Sequence, residues 1–243
     1  MIKRRIIPMF IIFMILSLLT IPSGSAEAAT KASYTMQKKE ITWMEGDTVR
    51  GEVSFQYPKL NGNSNEIAEI NSILENAMTA FMADERVEGI KESTEYYIDN
   101  KLFTEDVKQL YWKTTCKVTY NAKNIISMHM KEMWYAGGVY NQKDYGYTFD
   151  LKTGKALTLA QAVGVKPGEL TNRVLASAKK YFEIGKTDNY TAVWEGITSI
   201  IKEYDTKTYK YYLIPGKARV CFESYELNCG TSYQVLSITG KYK

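Results

Sequence analysis

The sequence predicts an α+β fold, with a largely antiparallel sheet packed with two long helices and one shorter helix. Several segments alternate strictly between apolar and polar residues, as strands with one buried face do. Other segments carry apolar residues at spacings of three and four, the period of an amphipathic helix. The strands come in runs joined by short turns, and few connections are long enough to bring parallel strands side by side. Together these observations favour α+β over an alternating βαβ arrangement.

The N-terminal part of the chain predicts strands followed by a helix. A short strand is expected at Ile41–Trp43, and Val49–Tyr57 alternates without a break, as a half-buried strand does. Apolar residues then recur at helical spacing up to about Met82. This stripe consists of Ile67, Ile70, Leu74, Ala77 and Phe81. Residues 84–106 are charged and irregular, with a short helix expected near Thr104–Gln109.

The middle of the chain predicts three strands. Leu110–Tyr120 and Ile126–Met130 alternate and are joined by a short connection, which predicts an antiparallel hairpin. The alternation reverses after this point, so a β-bulge is expected at Lys131–Glu132, because one extra residue exchanges the two faces. Tyr145–Leu151 forms the third strand and leads into a Thr-Gly turn.

The C-terminal part predicts two helices and a β-meander. The second long helix is expected at Pro167–Glu183, with proline well placed in its first turn, and the shorter helix at Ala192–Tyr204. Three strands should follow, at Thr208–Ile214, Ala218–Ser224 and Ser232–Thr239. A Pro-Gly pair, suited to a type II turn, separates the first two of them.

The first 28 residues have the layout of a secretory signal peptide. A basic start precedes the uncharged apolar run Ile6–Ile21, and small residues end in an Ala-x-Ala cleavage site at Ala26–Ala28. The alternative is a membrane anchor, but the run is shorter than the ~20 residues that a spanning helix needs. We therefore expect cleavage, a secreted or extracellular protein, and no membrane association afterwards. The remaining chain divides into a small β-α module at residues 29–105 and an α+β domain at residues 106–243, packed together.

Composition narrows the possible partners. Without residues 1–28 the chain has 28 Lys and Arg against 26 Asp and Glu, a formal charge of +2. The basic residues are scattered, so nucleic acid is not an expected partner. Three cysteines are too few for a disulfide framework in a chain that can bury a core. Cys116 is expected as a buried thiol, whereas Cys221 and Cys229 are close enough in sequence to pair, with their connectivity left open.

The single histidine offers little catalytic chemistry on sequence grounds. His129 lies on the polar face of its strand, beside Ser127 and Lys131, where a solvated side chain is expected. A zinc site normally takes three or four Cys, His or acidic ligands, and a serine triad would need a nucleophile turn that the sequence lacks. We therefore predict no metal site, no cofactor and no catalytic residue.

Carboxylates provide the one remaining route to catalysis. A glycosidase holds two of them across a cleft, and sequence alone cannot place two side chains across space. The adjacent or near-adjacent pairs are Asp84/Glu85, Glu105/Asp106 and Glu223/Glu226. All lie in polar or turn-rich segments, so solvated surfaces are expected, and a carboxylate-dependent hydrolase is kept as an alternative.

A loop rich in tyrosine and glycine is the strongest candidate for binding. The segment Trp134–Asn141 joins two strands, and its Gly-Gly pair permits positive φ and close backbone approach. Tyr, Trp, Gly and Asn are the residue types that binding loops favour. The alternative is a plain hairpin loop whose aromatic residues cap the core. The predicted binding residues are Trp134, Tyr135, Gly137, Gly138, Tyr140 and Tyr145.

Several motifs occur in an order that resembles the RsiV-like ectodomain family. They are Tyr135–Tyr140, then Tyr147–Leu159 with its Lys-Thr-Gly-Lys turn, then Tyr212–Pro215 and Tyr225–Leu227. Upstream, Val53–Pro58 and Asn65–Ile73 resemble the smaller module that precedes the main one in that family. The resemblance covers nearly the whole chain after residue 28.

The resemblance also has departures. The Ala-His pair that follows Gly-Gly in the family is Val139-Tyr140 here, so any role of that histidine is absent. The family's Ala-Pro-Tyr segment is replaced by Asn228-Cys229.

The resemblance implies a secreted, non-catalytic binding module at the bacterial cell envelope, with a lysozyme-like protein as partner. The same modules precede the catalytic domains of some peptidoglycan deacetylases, which implies a role at the cell wall. A nearly neutral chain lacks the acidic field that would steer a basic lysozyme. The alternative is a module that binds cell-wall glycan or peptidoglycan through exposed Tyr and Trp.

Overall fold

The computed structural model describes residues 31–138, 140–185, 193–227 and 234–240. The predicted signal peptide, Cys229 and the first residues of the predicted last strand lie outside the described residues. The fold class is α+β, as the sequence predicts: in the described residues eight strands form two sheets, and five helices pack against them. No helix in the described ranges is both long and apolar enough to cross a membrane.

The larger sheet has five strands in chain order. They are β1 Tyr34–Glu45, β2 Thr48–Leu60, β3 Leu110–Ala122, β4 Ile125–Tyr135 and β5 Asn141–Asp150. All neighbours are antiparallel except β2 and β3, which run parallel. Parallel neighbours need a long crossover, and here it contains two helices, α1 Asn65–Met82 and α2 Arg86–Asp99. The sheet therefore continues across the predicted module boundary at residues 105 and 106.

The smaller sheet has three antiparallel strands and its own helices. The strands are β6 Lys210–Ile214, β7 Lys217–Phe222 and β8 Gln234–Thr239. The helices are α3 Leu159–Val163, α4 Pro167–Tyr181 and α5 Trp194–Glu203. The predicted long and short helices and the terminal meander are thus confirmed within a few residues.

Each sheet covers one hydrophobic core. In the first, Phe55 and Trp112 from the larger sheet pack with Leu74 and Phe81 of α1. In the second, Val220 and Leu236 from the smaller sheet join a cluster that includes the buried faces of α4 and α5. Apolar periodicity in the sequence reflects these two buried surfaces, which is why it identifies most of the elements correctly.

Three local predictions are wrong. α2 occupies residues that appear irregular in sequence, and Thr104–Gln109 is not helical. β1 is 12 residues long, far more than the expected three, although most of it is exposed. The bulge expected at Lys131–Glu132 is absent, because β4 pairs with β5 in continuous register there; the irregularity lies in β3, between Val118 and Tyr120.

The two sheets meet where β6 crosses the face of β4 and β5. Gly146 allows this close approach, since a Cβ atom there would lie 2.4 Å from the carbonyl oxygen of Tyr211. Beside the crossing, the Ser127 and Thr148 hydroxyls are hydrogen-bonded at 2.7 Å, and the Leu213 amide donates to Ser127 Oγ at 2.9 Å. The crossing thus places the smaller sheet against β4 and β5.

Candidate binding cleft

A cleft of about 400 Å³ opens where the ends of β4 and β5 meet the start of α2 and the segment after β7. We call it the aromatic cleft. It is lined by Arg86, Glu132, Trp134, Asn141, Gln142, Lys143, Glu223, Ser224 and Tyr225. Its size falls within the range of small-molecule sites, and it lies between the parts of the chain that carry the two cores.

Glu132 is the buried charged group of this cleft. It is only 8% exposed and accepts a hydrogen bond from Trp112 Nε1 at 2.8 Å. Lys143 Nζ lies 3.1 Å from its Oε2, and Arg86 Nη1 lies 3.4 Å from its Oε1. The Arg86 guanidinium carbon also lies 4.1 Å from the centroid of the Trp112 ring. The Trp112 ring stacks on the ring of Phe81 as well. Glu132 is therefore satisfied by a hydrogen bond and two cations before any ligand arrives.

Aromatic rings stand at the rim of the cleft. Trp134 is 37% exposed at the end of β4, and Tyr225 is 63% exposed with a positive φ of 65°. Glu223 forms an ion pair with Lys210. Burial raises the pKa of Glu223, but the hydrogen bond and charge of Lys210 outweigh burial, so this pKa lies below its usual value. The cleft therefore combines open rings with charges that are already paired.

A polar chain runs along the other face of β5. The Tyr140 hydroxyl donates to Gln142 Oε1 at 2.8 Å, and Gln142 Nε2 donates to Asp144 Oδ2 at 3.0 Å. Asp144 Oδ1 is hydrogen-bonded to His129 Nε2, and the His129 ring stacks on Tyr212 at 4.2 Å. Burial raises the pKa of Asp144, yet its bonds to His129 and Gln142 hold it below its usual value.

His129 is therefore not the solvated strand residue that the sequence suggests. It is half-buried where the two sheets meet, with one ring nitrogen on a carboxylate and one ring face on a tyrosine. In the described ranges no group of three or more His, Cys, Asp or Glu side chains could hold a metal ion.

The six predicted binding residues are only partly brought together. Trp134 lines the aromatic cleft, and Tyr140 is 47% exposed and reaches the cleft residue Gln142. Tyr135 is half-buried against Tyr111, with ring centroids 6.0 Å apart. Gly137 and Gly138 lie in the loop beyond β4 and do not line the cleft.

Tyr145 lies apart from the cleft. Its side chain packs against the first core, and burial raises its pKa well above the usual range. It therefore belongs to the interior on the helix side of the sheet, which matches the alternative that some of these aromatic residues cap the core.

Gly137 and Gly138 provide a matched pair for testing the loop. Gly137 has φ of +88°, and a Cβ atom there would lie 2.0 Å from the Tyr97 hydroxyl oxygen, which donates to the Gly137 carbonyl at 3.0 Å. Gly138 has open space around it. Thermal unfolding of Gly137→Ala should show a loss of about 1–3 kcal/mol, whereas Gly138→Ala should change stability by less than about 0.5 kcal/mol. Equal stability of the two variants would contradict this role of Tyr97.

Sequence reasoning missed most of the cleft. Arg86, Glu132 and Lys143 are charged residues in charged segments, where a solvated surface is the usual outcome. One signal was available for Glu132: it stands at the same parity as Met128 and Met130, so uninterrupted alternation points its side chain toward the core.

Burial disfavours the thiolate forms of the two described cysteines. Burial raises the pKa of Cys116 to about 12 and raises that of Cys221 above its usual value. The expected burial of the Cys116 thiol is met in part, since this residue is half-buried against the first core. The pairing of Cys221 with Cys229 stays a prediction, because Cys229 lies outside the described residues.

Comparison with known proteins gives a family match and a shared fold. Residues 45–140 match the family model described as deacetylase PdaC. No curated protein matches the chain. A crystal structure of a DUF3298 family protein from Pseudomonas aeruginosa is 13% identical, with a TM-score of 0.54, over 86% of this chain and 89% of that one.

A second DUF3298 structure, from Bacteroides fragilis, is 14% identical with a TM-score of 0.55, over 86% of this chain and 91% of that one. At this level of identity the likeness shows the fold alone. The class of protein is therefore an α+β protein with the DUF3298 fold, whose segment 45–140 is similar to the deacetylase PdaC family.

Proposed function

We propose that this protein is a non-catalytic binding module of the bacterial cell envelope, and that the aromatic cleft holds a glycan of the cell wall. The observation that supports this proposal most strongly is a cleft of about 400 Å³ with the exposed rings of Trp134 and Tyr225 at its rim. Its other lining residues include paired charges and side-chain amides. The match to the deacetylase PdaC family and the resemblance to RsiV-like ectodomains support a place at the wall.

Sugar chemistry suits this combination of groups. A sugar ring has an apolar face of C–H groups that can lie on an aromatic ring, and hydroxyls at its edge that need hydrogen-bond partners. Trp134 and Tyr225 offer the rings. Asn141 offers an amide that can both donate and accept, and Gln142, already bonded to Tyr140 and Asp144, keeps one further N–H and one further lone pair. A glycan can therefore bind without leaving a buried polar group unpaired.

The state of the carboxylates favours binding over hydrolysis. An acid catalyst in a glycosidase needs a raised pKa, so that it carries a proton at neutral pH. Glu223 lines the cleft, but its pKa is lowered by Lys210. Glu132 already accepts from Trp112 and is paired with Lys143. Glu223 is therefore not set up to donate a proton, and both oxygens of Glu132 are already engaged.

A lysozyme-like protein is the second candidate ligand. The observation that favours it is the exposure of Trp134, at the rim of the cleft, and of Tyr140, which does not line it; the two rings flank the Tyr-Gly loop. Aromatic anchors of this kind dominate protein interfaces. The aromatic cleft is concave, however, whereas a protein partner needs a broad complementary surface.

Calorimetry with chitotetraose and with disaccharide-peptide fragments of peptidoglycan tests the proposal. We expect Trp134→Ala to weaken glycan binding at least about tenfold, or ~1.4 kcal/mol, because the ring that covers the sugar is lost. Tyr96→Ala is the matched control, since Tyr96 is 60% exposed on α2 and does not line the cleft. It should bind as the parent does.

Lysozyme is titrated in parallel to separate the two candidates. Binding of lysozyme with no binding of either glycan would replace the glycan proposal by the protein partner. Glycan binding that survives Trp134→Ala unchanged would remove the aromatic cleft as its site.

A further inference from the structure

A second concave surface lies on the opposite side of β5 from the aromatic cleft. We call it the cationic groove; its volume is about 580 Å³. It is lined by His129, Lys131, Gln142, Asp144, Tyr181, Tyr212, Arg219 and Val235. Gln142 lines both surfaces, so they adjoin at this residue.

Both sheets contribute to the groove because β6 crosses β5 at Gly146. In the larger sheet, Lys131 is directly opposite Asp144 across β4 and β5. In the smaller sheet, Arg219 is directly opposite Tyr212 across β6 and β7. The side chains of directly opposed residues lie on the same face, so each pair faces the groove from its own sheet. The crossing brings the two pairs together.

The charges of the groove are unequal. Asp144 is the single carboxylate among the described residues that line it, and both of its oxygens are already engaged, by His129 and by Gln142. Within the described ranges no carboxylate lies within 4.0 Å of the Lys131 ammonium or the Arg219 guanidinium. Arg219 instead donates to the hydroxyl of Ser237 and is hydrogen-bonded to the Tyr212 hydroxyl. Lys131 interacts with Asp144 only through their longer-range charges. Two half-buried cations of the described chain therefore face one groove with no carboxylate at ion-pair distance.

We propose that the cationic groove is a second binding site, separate from the aromatic cleft, that takes a phosphate ester. A guanidinium presents a planar fork of donors that matches phosphate oxygens, and an ammonium adds a point charge. The hydroxyl of Tyr212 supplies a further polar group, and the exposed Tyr181 ring offers apolar area beside the phosphate. Phosphate esters occur as small metabolites and as repeating units of anionic wall polymers, and both share this chemistry.

This site goes beyond the proposed function, since it uses other residues and another class of ligand. The two are tested separately: the glycan proposal depends on Trp134, and the phosphate proposal on Lys131 and Arg219. Failure of either leaves the other standing.

Titration followed by heteronuclear NMR tests the site, with glycerol 3-phosphate as the small probe and oligomeric poly(glycerol phosphate) as the polymer. We expect saturable shifts at backbone amides of Lys131, Tyr212 and Arg219, and at least tenfold weaker binding in Lys131→Gln. Lys117→Gln is the matched control: Lys117 is directly opposite His129 on β3, is exposed, and does not line the groove. It should bind as the parent does.

Arg219→Lys separates a binding defect from a folding defect, because lysine keeps the positive charge but lacks the planar set of N–H donors of the guanidinium. It should weaken phosphate binding with unchanged thermal stability. Much tighter binding of the oligomer than of glycerol 3-phosphate identifies a polymer ligand, and equal affinity per phosphate identifies a single phosphate ester; both support the site. No saturable shift with either probe up to about 10 mM overturns the proposal, as does an equal loss of affinity in Lys117→Gln and Lys131→Gln.

Discussion

Replacing Gly146 with alanine is expected to lower the free energy of unfolding by about 3 kcal/mol, because one added carbon meets backbone that cannot move aside. The Cβ atom would lie 2.4 Å from the Tyr211 carbonyl oxygen and 2.6 Å from that of Met128. Neither atom can rotate away as the end of a flexible side chain can. Relief of the clash requires β6 to lift from the larger sheet, which also weakens the hydrogen bond of Leu213 to Ser127.

Chemical denaturation of Gly146→Ala and of Gly89→Ala measures this effect against a matched control. Gly89 lies in α2 with no atom within 4 Å of an added Cβ, so alanine there should stabilise the protein by about 0.5–1 kcal/mol. The close approach of the two sheets therefore predicts that Gly146→Ala lowers the free energy of unfolding and that Gly89→Ala raises it. A stability change of less than about 0.5 kcal/mol in Gly146→Ala would show that the sheets do not approach as closely as described.

Replacing Glu132 with alanine is expected to lower the free energy of unfolding by about 2–3 kcal/mol. The change leaves the buried N–H of Trp112 without its acceptor and removes the partner carboxylate of Lys143. Lys143 and Arg86 stay partly solvated, with side-chain exposures of 33% and 47%, so the loss is smaller than for a fully buried ion pair. Glu132→Gln keeps an acceptor for Trp112 and should lose about half as much.

Glu75→Ala provides the control for Glu132→Ala. Glu75 pairs with Lys59 at 3.1 Å, the same N–O distance as Lys143 to Glu132, but both partners are well exposed. Its removal should change stability by less than about 0.5 kcal/mol, measured by the same denaturation series. Equal losses at Glu75 and Glu132 would mean that burial does not set the strength of the Glu132 network.

The elements that the sequence predicts well are those with one buried face. Val49–Tyr57 alternates because Val53, Phe55 and Tyr57 enter the first core. The stripe on α1 repeats because Ile70, Leu74 and Phe81 contact the same core. Because the buried positions recur at every second residue of a strand and every third or fourth residue of a helix, the apolar residues show the same spacing in the sequence.

The elements that the sequence misses bury little or bury polar groups. α2 buries only Ile90 and Thr94, so no apolar stripe marks it. β1 is mostly exposed at the edge of the larger sheet, and its residues therefore show no clear alternation. The wrong bulge has the same origin: Glu132 appears to break the apolar face, yet its carboxylate is satisfied by Trp112 inside that face.

The candidate sites could be predicted only in part, because they depend on contacts across long stretches of chain. Trp134 and Tyr140 are among the six residues predicted around the Tyr-Gly loop, and both are exposed, although Trp134 lies at the end of β4. The partners that make them part of a cleft come from distant segments, Arg86 from α2 and Glu223 from the segment after β7. His129 and Tyr212 meet only because β6 crosses β5.

The two concave surfaces have a structural link at Gln142. Its amide accepts from Tyr140 and donates to Asp144, and its side chain borders the aromatic cleft as well as the cationic groove.

The most direct test of the central claim is the position of a bound glycan, determined by a crystal structure of the protein with chitotetraose. We predict a sugar ring on the Trp134 indole, with its hydroxyls bonded to the side chains of Asn141 and Gln142. A chitotetraose molecule bound elsewhere on the protein, with the aromatic cleft free of sugar, would contradict the claim.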